Sequence, residues 1–206
     1  MIGMSCTHFS SRPMGEWIDR VAGSFRHWEI FSEADHIIVG REAEIRDMIG
    51  SRGMTCSVHA PICDLNVGAL TDRLMEASVE VLRDTIRSAS EIDAVTVTIH
   101  PGLSSMSVND TEVRASERAR RSMKVLEKSG EEYGVTLAIE NMPSFPFFLG
   151  RTASSLADIV DGTDLGICFD IGHANTMGQI DAMVETFGDR IVNVHIHDNH
   201  GQRDEH

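Results

Sequence analysis

Five stretches of the chain run through apolar residues and then end on His, Glu or Asp. Each stretch is short and rich in β-branched residues, and Gly, Pro or Asn follows close behind it. A run of this kind is typical of a parallel strand covered on both faces, here with a polar residue at its carboxyl end. The five stretches are residues 55–61 (TCSVHAP), 95–102 (VTVTIHPG), 135–142 (VTLAIENM), 165–174 (LGICFDIGHA) and 191–199 (IVNVHIHDN).

Helical patterns separate these stretches. Residues 73–91 repeat apolar side chains at helical spacing, and residues 111–133 do the same with a strongly charged outer face. Strands that alternate with helices predict βαβ units and a parallel sheet. Successive polar strand ends are 41, 40, 30 and 25 residues apart. This rhythm fits the roughly 31 residues that each unit of a (β/α)₈ barrel occupies.

The amino-terminal part supplies two further predicted strands, at residues 1–9 and 28–31, and a helix at residues 42–49. The count is then seven strands, one short of a closed barrel. The predicted fold class is α/β, a (β/α)₈ TIM barrel with the last strand and helix missing from this chain. We expect residues 1–206 to form a single domain that is incomplete at its carboxyl end.

Charge and composition narrow the range of functions. The net charge is −14 and the isoelectric point is near 5.0, so the surface repels a phosphate backbone and nucleic acid is the less favoured partner. Without an apolar run of membrane-spanning length or a signal peptide, the chain is expected to be cytoplasmic with no membrane partner. The four cysteines form no CxxC pair, which predicts free thiols. No stripe of residues indicates an interface, so the oligomeric state stays open.

The residues at the strand ends are potential metal ligands. Taken singly, a His at such a position is usually a hydrogen-bonded structural residue, and an Asp usually caps the next helix. Together they predict a divalent-metal site at the mouth of the barrel, with Zn²⁺ favoured and Mn²⁺ as the alternative. The candidate ligands are His59, His100, Glu140, Asp170 and His195 at the strand ends, with His173 three residues after Asp170.

The motifs HAP, HPG, EN, DxGH, HxHD and DxH, in this order and spacing, resemble the xylose isomerase-like barrel superfamily, which includes endonuclease IV. The resemblance covers nearly the whole chain. It implies up to three metals. The first would be held by His59 and His100, with Glu140 bridging to a second held by Asp170 and His195. The third would be held by His173, Asp204 and His206. A ninth ligand of that family, a Glu on the last strand, falls in the segment expected to be missing.

Three functions remain open. The favoured one is a divalent-metal isomerase or epimerase that acts on a small sugar or sugar phosphate. In the sugar-isomerase branch, which the chain resembles through Glu140, Asp170 and His195, metal-bound glutamates serve as acid and base and His173 would touch the substrate. Glu140 and His173 are therefore the candidate catalytic residues. The second function is an endonuclease IV-like zinc phosphodiesterase acting on abasic-site DNA, and the third is a metal-binding barrel without catalysis.

Several conspicuous residues have simpler interpretations. His197 lies two residues after His195 and could enter the site, but a ligand role is the less favoured interpretation. The phenylalanines of the segment SFPFFLGR are interpreted as a hydrophobic cover over the barrel mouth, with a sugar-stacking wall or a DNA wedge as alternatives. Contact with the substrate is the less favoured interpretation of Glu29 on the second predicted strand. His27 and His36 are expected to lie at the surface.

Overall fold

The computed structural model describes residues 1–205 and shows one parallel sheet of seven strands. Each strand pairs with the next one along the chain, so the order in the sheet is β1 to β7. The strands are β1 (Met4–Ser5), β2 (His27–Phe31), β3 (Thr55–His59), β4 (Thr96–Ile99), β5 (Thr136–Glu140), β6 (Gly166–Asp170) and β7 (Ile191–His195). Among the described residues, β1 and β7 are the two ends of the sheet.

Helices connect the strands on the outside. They are α1 (Ile18–Ser24), α2 (Glu42–Gly50), α3 (Asp72–Glu91), α4 (Glu112–Tyr133), α5 (Ala153–Val160), α6 (Ile171–Met177) and α7 (Ile180–Phe187). Short 3-10 turns lie at Thr7–Ser11, Met14–Glu16, Ala34–His36 and Gly188–Arg190. None of the helices in residues 1–205 has both the length and the apolar character needed to cross a bilayer.

The predicted TIM-barrel architecture with seven parallel strands is confirmed. The strands are shorter than the predicted stretches, because the residues after each polar strand end turn into a loop or, after Asp170, into α6. The prediction for residues 1–9 was too long, since only Met4–Ser5 is strand and a 3-10 turn follows. That residues 1–206 form a single domain stays a prediction.

His36 corrects one expectation. It is fully buried rather than at the surface, and its ring meets that of Trp28 edge to face, with the ring centroids 5.6 Å apart. Ile38, two residues later, is also fully buried. The segment from His36 to Ile38 therefore turns inward, because the apolar side chain of Ile38 packs in the core. His27 is half-buried, and its two ring nitrogens contact the hydroxyls of Thr55 and Ser57.

The core lies between the sheet and the helices. Leu82, Ile86 and Ala89 form the inner face of α3. On α4 that face comprises Ala115, Ala119, Met123 and Leu126. Burying a side chain such as Leu82 or Ile86 contributes roughly 1.5–3 kcal/mol. This packing fixes where each strand ends relative to its neighbours.

The register brings the strand ends to one edge of the sheet. Phe31 is level with His59, and Asp170 is level with His195. Because all seven strands are parallel, their carboxyl-terminal side chains converge on one mouth. The polar residues predicted at the strand ends therefore become neighbours in space.

Candidate functional site

Glu140, at the end of β5, stands at the centre of the mouth and is only 2% exposed. Its Oε2 lies 3.1 Å from His59 Nε2 and 3.2 Å from His100 Nε2. Its Oε1 lies 3.2 Å from His195 Nδ1 and 3.4 Å from His173 Nδ1. One carboxylate is thus shared by four imidazoles, which come from β3, the residue after β4, helix α6 and β7.

Backbone carbonyls orient two of these imidazoles. His59 Nδ1 is 2.9 Å from the carbonyl oxygen of Ala60, and His173 Nδ1 is 2.9 Å from that of Asn141. A carbonyl only accepts, so each Nδ1 carries a proton, and Nε2 is the nitrogen of each ring that is available to a cation. His173 Nε2 faces Asp204, whose Oδ2 is 3.4 Å away.

The two carboxylate oxygens of Asp170, at the end of β6, have different surroundings. Its Oδ1 caps α6 by accepting from the backbone N–H of His173 at 2.7 Å, and it lies 3.1 Å from His197 Nε2. The side-chain amide of Asn141 donates to the Asp170 carbonyl and its oxygen accepts from the Asp170 N–H. Oδ2 is buried and has no hydrogen-bond partner within residues 1–205. A buried carboxylate oxygen without a donor is suited to a cation.

The carboxylates and imidazoles of the site shift each other's pKa toward the charged forms. Burial acts to raise the pKa of Glu140, but the charge of His195 and hydrogen bonds from the surrounding imidazoles hold it well below its usual range. Burial acts to lower the pKa of His173, yet Asp204 and Glu140 raise it to about 9. Burial also acts to lower the pKa of His195, but the charges of Glu140 and Cys168 and the hydrogen bonds to both together raise it. Protons on His173 and His195 thus offset the negative charge of Glu140.

A cavity of about 410 Å³ opens above these residues. Aromatic side chains form part of its wall, including Phe31, Phe145 and Phe148. Phe145 is 45% exposed, and its ring lies 5.8 Å from that of Phe148. The floor is therefore charged and polar, while the wall is apolar.

Three sets of side chains lie close enough to share an ion, with ligand atoms within 4.8 Å of one another: His59, His100 and Glu140; Glu140, Cys168 and His195; Asp170, His173 and His197. Every predicted ligand in the described residues, including Asp204, lies in or beside this site. His206 lies outside the described residues. The donor atoms fit divalent metals, although the assignment of ligands stays a prediction.

Sequence reasoning undervalued three residues. His197 contacts Asp170, and Cys168 lies beside His195 and Glu140. Glu29, in the middle of β2, is 5% exposed and lies 2.7 Å from His195 Nε2 through its Oε1. A charged residue between Trp28 and Ile30 in an otherwise buried strand was the available signal, since such a residue needs a partner.

A parallel α/β barrel with a histidine- and carboxylate-lined mouth defines the class of this protein. The chain belongs to the xylose isomerase-like TIM barrel family, whose sequence pattern matches residues 20–206. This confirms the resemblance seen in the strand-end motifs.

Individual relatives extend the comparison. An uncharacterized protein of Methanocaldococcus jannaschii is 34% identical over 215 residues, which cover 99% of this chain and 72% of the relative. A solved structure described as a D-tagatose 3-epimerase-like protein superposes with a TM-score of 0.89 at 32% identity, covering 97% of this chain and 76% of the other. A probable endonuclease 4 of Thermoplasma volcanium is 29% identical over 153 residues, which cover 68% of this chain but only 51% of the relative.

Proposed function

We propose that this protein is a divalent-metal-dependent isomerase or epimerase of a small sugar or sugar phosphate. The observation that carries the proposal is the convergence of Glu140, Asp170 and His195 at the floor of the cavity. His195 Nδ1 lies 3.2 Å from Glu140 Oε1 and 3.7 Å from Asp170 Oδ2, so one imidazole nitrogen is close to both carboxylates. The similarity to a D-tagatose 3-epimerase-like protein supports the same class.

The cavity suits a small polar molecule. Its volume of about 410 Å³ lies toward the lower end of the roughly 300–1,000 Å³ found for ligand sites. Polar atoms on the floor can hold hydroxyl and carbonyl oxygens, whereas the rings of Phe145 and Phe148 offer an apolar face to the carbon skeleton. The net charge of −14 also favours a small molecule over a nucleic acid.

The chain's own residues account for binding and proton transfer. A divalent cation held by Glu140, Asp170 and His195 would polarise the adjacent oxygens of the sugar. Glu140 accepts the proton from the carbon beside the carbonyl and delivers it to the former carbonyl carbon, while the hydroxyl proton passes from one oxygen to the other, so that the carbonyl moves by one carbon. Inversion of the first carbon instead requires that a second acid protonate it from the opposite face. His173, 5% exposed and lining the cavity, contacts a substrate hydroxyl and orients it. The phenylalanine wall limits the access of water.

Solvent exchange at a sugar carbon tests the proposal directly. The protein loaded with Mn²⁺ or Zn²⁺ is incubated in D₂O with a panel of ketopentoses, ketohexoses and their phosphates, and proton NMR follows the carbon next to the carbonyl. We expect deuterium to enter at that carbon, and Glu140→Gln to abolish the exchange. Glu131→Gln, an exposed position on α4, is the matched control. Loaded protein that exchanges none of the panel would contradict the proposal.

A second function is favoured by a separate observation. His59 and His100 contact Glu140 Oε2, while His173 and Asp204 form a further pair of donors, so the mouth has more donors than one cation needs. Several cations at one mouth suit an endonuclease IV-like phosphodiesterase, and similarity to the probable endonuclease 4 points the same way. Metal-dependent cleavage of an abasic-site duplex, absent with the intact duplex, would support it. Failure of both assays in metal-loaded protein would leave the non-catalytic barrel.

A further inference from the structure

Glu29 lies outside the set of strand-end residues but contacts one of them. It belongs to β2, two residues before the strand ends at Phe31, and its side chain points into the barrel below the mouth. Its Oε1 lies 2.7 Å from His195 Nε2. This is the closest of the contacts between His195 and a carboxylate, and it is made by the ring nitrogen that faces away from Glu140.

Other side chains hold the Glu29 carboxylate in place. Ser5 donates to Oε1 at 3.2 Å, and the Asn193 amide donates to Oε2 at 2.9 Å. The same amide lies 3.2 Å from the Thr98 hydroxyl. Ser5 lies on β1 and Asn193 on β7, and Thr98 on β4 holds the Asn193 amide in turn, so the carboxylate is tied across the inside of the barrel. The Glu29 carboxylate thus has three donors, Ser5, Asn193 and His195, and the residue is only 5% exposed. It therefore has little freedom to turn away from His195.

The orientation of His195 follows from this arrangement. A carboxylate only accepts, so His195 Nε2 must carry a proton toward Glu29. With that proton held by Glu29, a cation that replaces the proton on Nδ1 would bind the lone pair of that nitrogen, and Nδ1 is the atom that faces Glu140 and Asp170. Partners of this kind set the tautomer and ring orientation of metal-binding histidines.

We propose that Glu29 is a positioning residue that holds His195 in the Nε2-protonated form, with Nδ1 presented to the metal. The inference rests on the metal site of the proposed function but does not depend on which reaction that site performs. Glu29 itself touches neither the metal nor the substrate.

The test compares Glu29→Gln, Glu29→Ala and Glu33→Ala. Glutamine keeps an oxygen that can accept from His195, whereas alanine removes it. Glu33 is the matched control, because its carboxylate also comes from the β2 segment but accepts from the backbone N–H groups of Ile62 and Cys63. Two quantities are measured for each protein: zinc affinity by competition with a chelating dye, and the tautomer of His195 by nitrogen-15 NMR of the zinc-loaded protein.

We expect Glu29→Ala to weaken zinc binding by about 10- to 100-fold and to lose the fixed Nε2-protonated signal of His195. Glu29→Gln should restore most of both, and Glu33→Ala should change neither. Circular dichroism confirms that each variant is folded. If Glu29→Ala does not fold, Glu29→Leu takes its place, because leucine fills a similar volume without an acceptor, and it should show the same two losses.

The outcomes separate the two proposals. A parent protein that binds zinc, together with a Glu29→Ala variant of unchanged affinity and tautomer, would overturn the role of Glu29 and leave the proposed function intact. A parent that binds zinc but exchanges no sugar proton would overturn the proposed function. The zinc affinity and the His195 tautomer of the Glu29 variants would then still decide the role of Glu29. A parent that binds neither Zn²⁺ nor Mn²⁺ would overturn both.

Discussion

Replacing Asp170 with Asn separates the metal role of this residue from its structural role. Oδ1 caps α6 through the His173 N–H, and an asparagine oxygen can make the same bond. Oδ2, buried and without a hydrogen-bond partner in residues 1–205, becomes an NH₂ group that cannot bind a cation. We therefore expect Asp170→Asn to fold normally and to lose metal.

The magnitude follows from mass action. With free metal at about 100 times its Kd, binding stabilises the parent by about 2.7 kcal/mol. For a domain of this size about 1 kcal/mol corresponds to roughly 2–4 °C in Tm, so the metal should raise the parent's Tm by roughly 5–11 °C. Loss of a ligand weakens binding by at least the roughly 100-fold that outer partners can cost. At the same metal concentration the variant then gains only about 0.4 kcal/mol, or roughly 1–2 °C.

The assay is thermal unfolding with and without Zn²⁺, after chelation and dialysis. Asp170→Ala serves as the comparison, because it removes the cap as well and should lower the metal-free Tm by a further roughly 2–4 °C, corresponding to about 1 kcal/mol. If Asp170→Asn keeps the full metal-induced rise, Asp170 is not a ligand. If it loses as much metal-free stability as Asp170→Ala, the reasoning about the cap is wrong.

Three other predictions follow from the fold and the charges. Ile86→Ala, at a fully buried position, should cost about 2–5 kcal/mol in urea unfolding, whereas Val125→Ala, 45% exposed, should stay within about 0.5 kcal/mol. Gly130→Ala should destabilise the folded protein by about 1 kcal/mol, because a Cβ would lie 2.9 Å from Leu137 Cγ. Gly23→Ala on α1, where a Cβ would have no atom within 4 Å, should leave the stability unchanged or raise it. The pKa of His173 is about 9, so its proton competes with the metal below that pH. Zinc affinity, measured by competition with a chelator, should therefore rise by up to roughly tenfold per pH unit toward pH 9. An affinity that does not change with pH would show that His173 releases no proton on binding.

The strand-end residues were predictable because their signal is local. Each ends an apolar run that is typical of a buried strand, and parallel strands bring their carboxyl ends together whatever the exact register. His59, His100, Glu140 and Asp170 were identified on that basis, and the structure places all four in one mouth. The order and spacing of the same motifs also sufficed to recognise the family.

The contacts made across the barrel were not predictable in this way. Glu29 reaches His195 although 166 positions separate them, and His36 is buried rather than exposed because the chain after β2 turns toward Trp28. Such contacts depend on the stagger of the strands and on which side chains fill the barrel interior, and neither is encoded in a short run of residues. Local patterns alone thus determined the strands and the residues at their ends, whereas only the tertiary structure decided which side chains orient those residues from below.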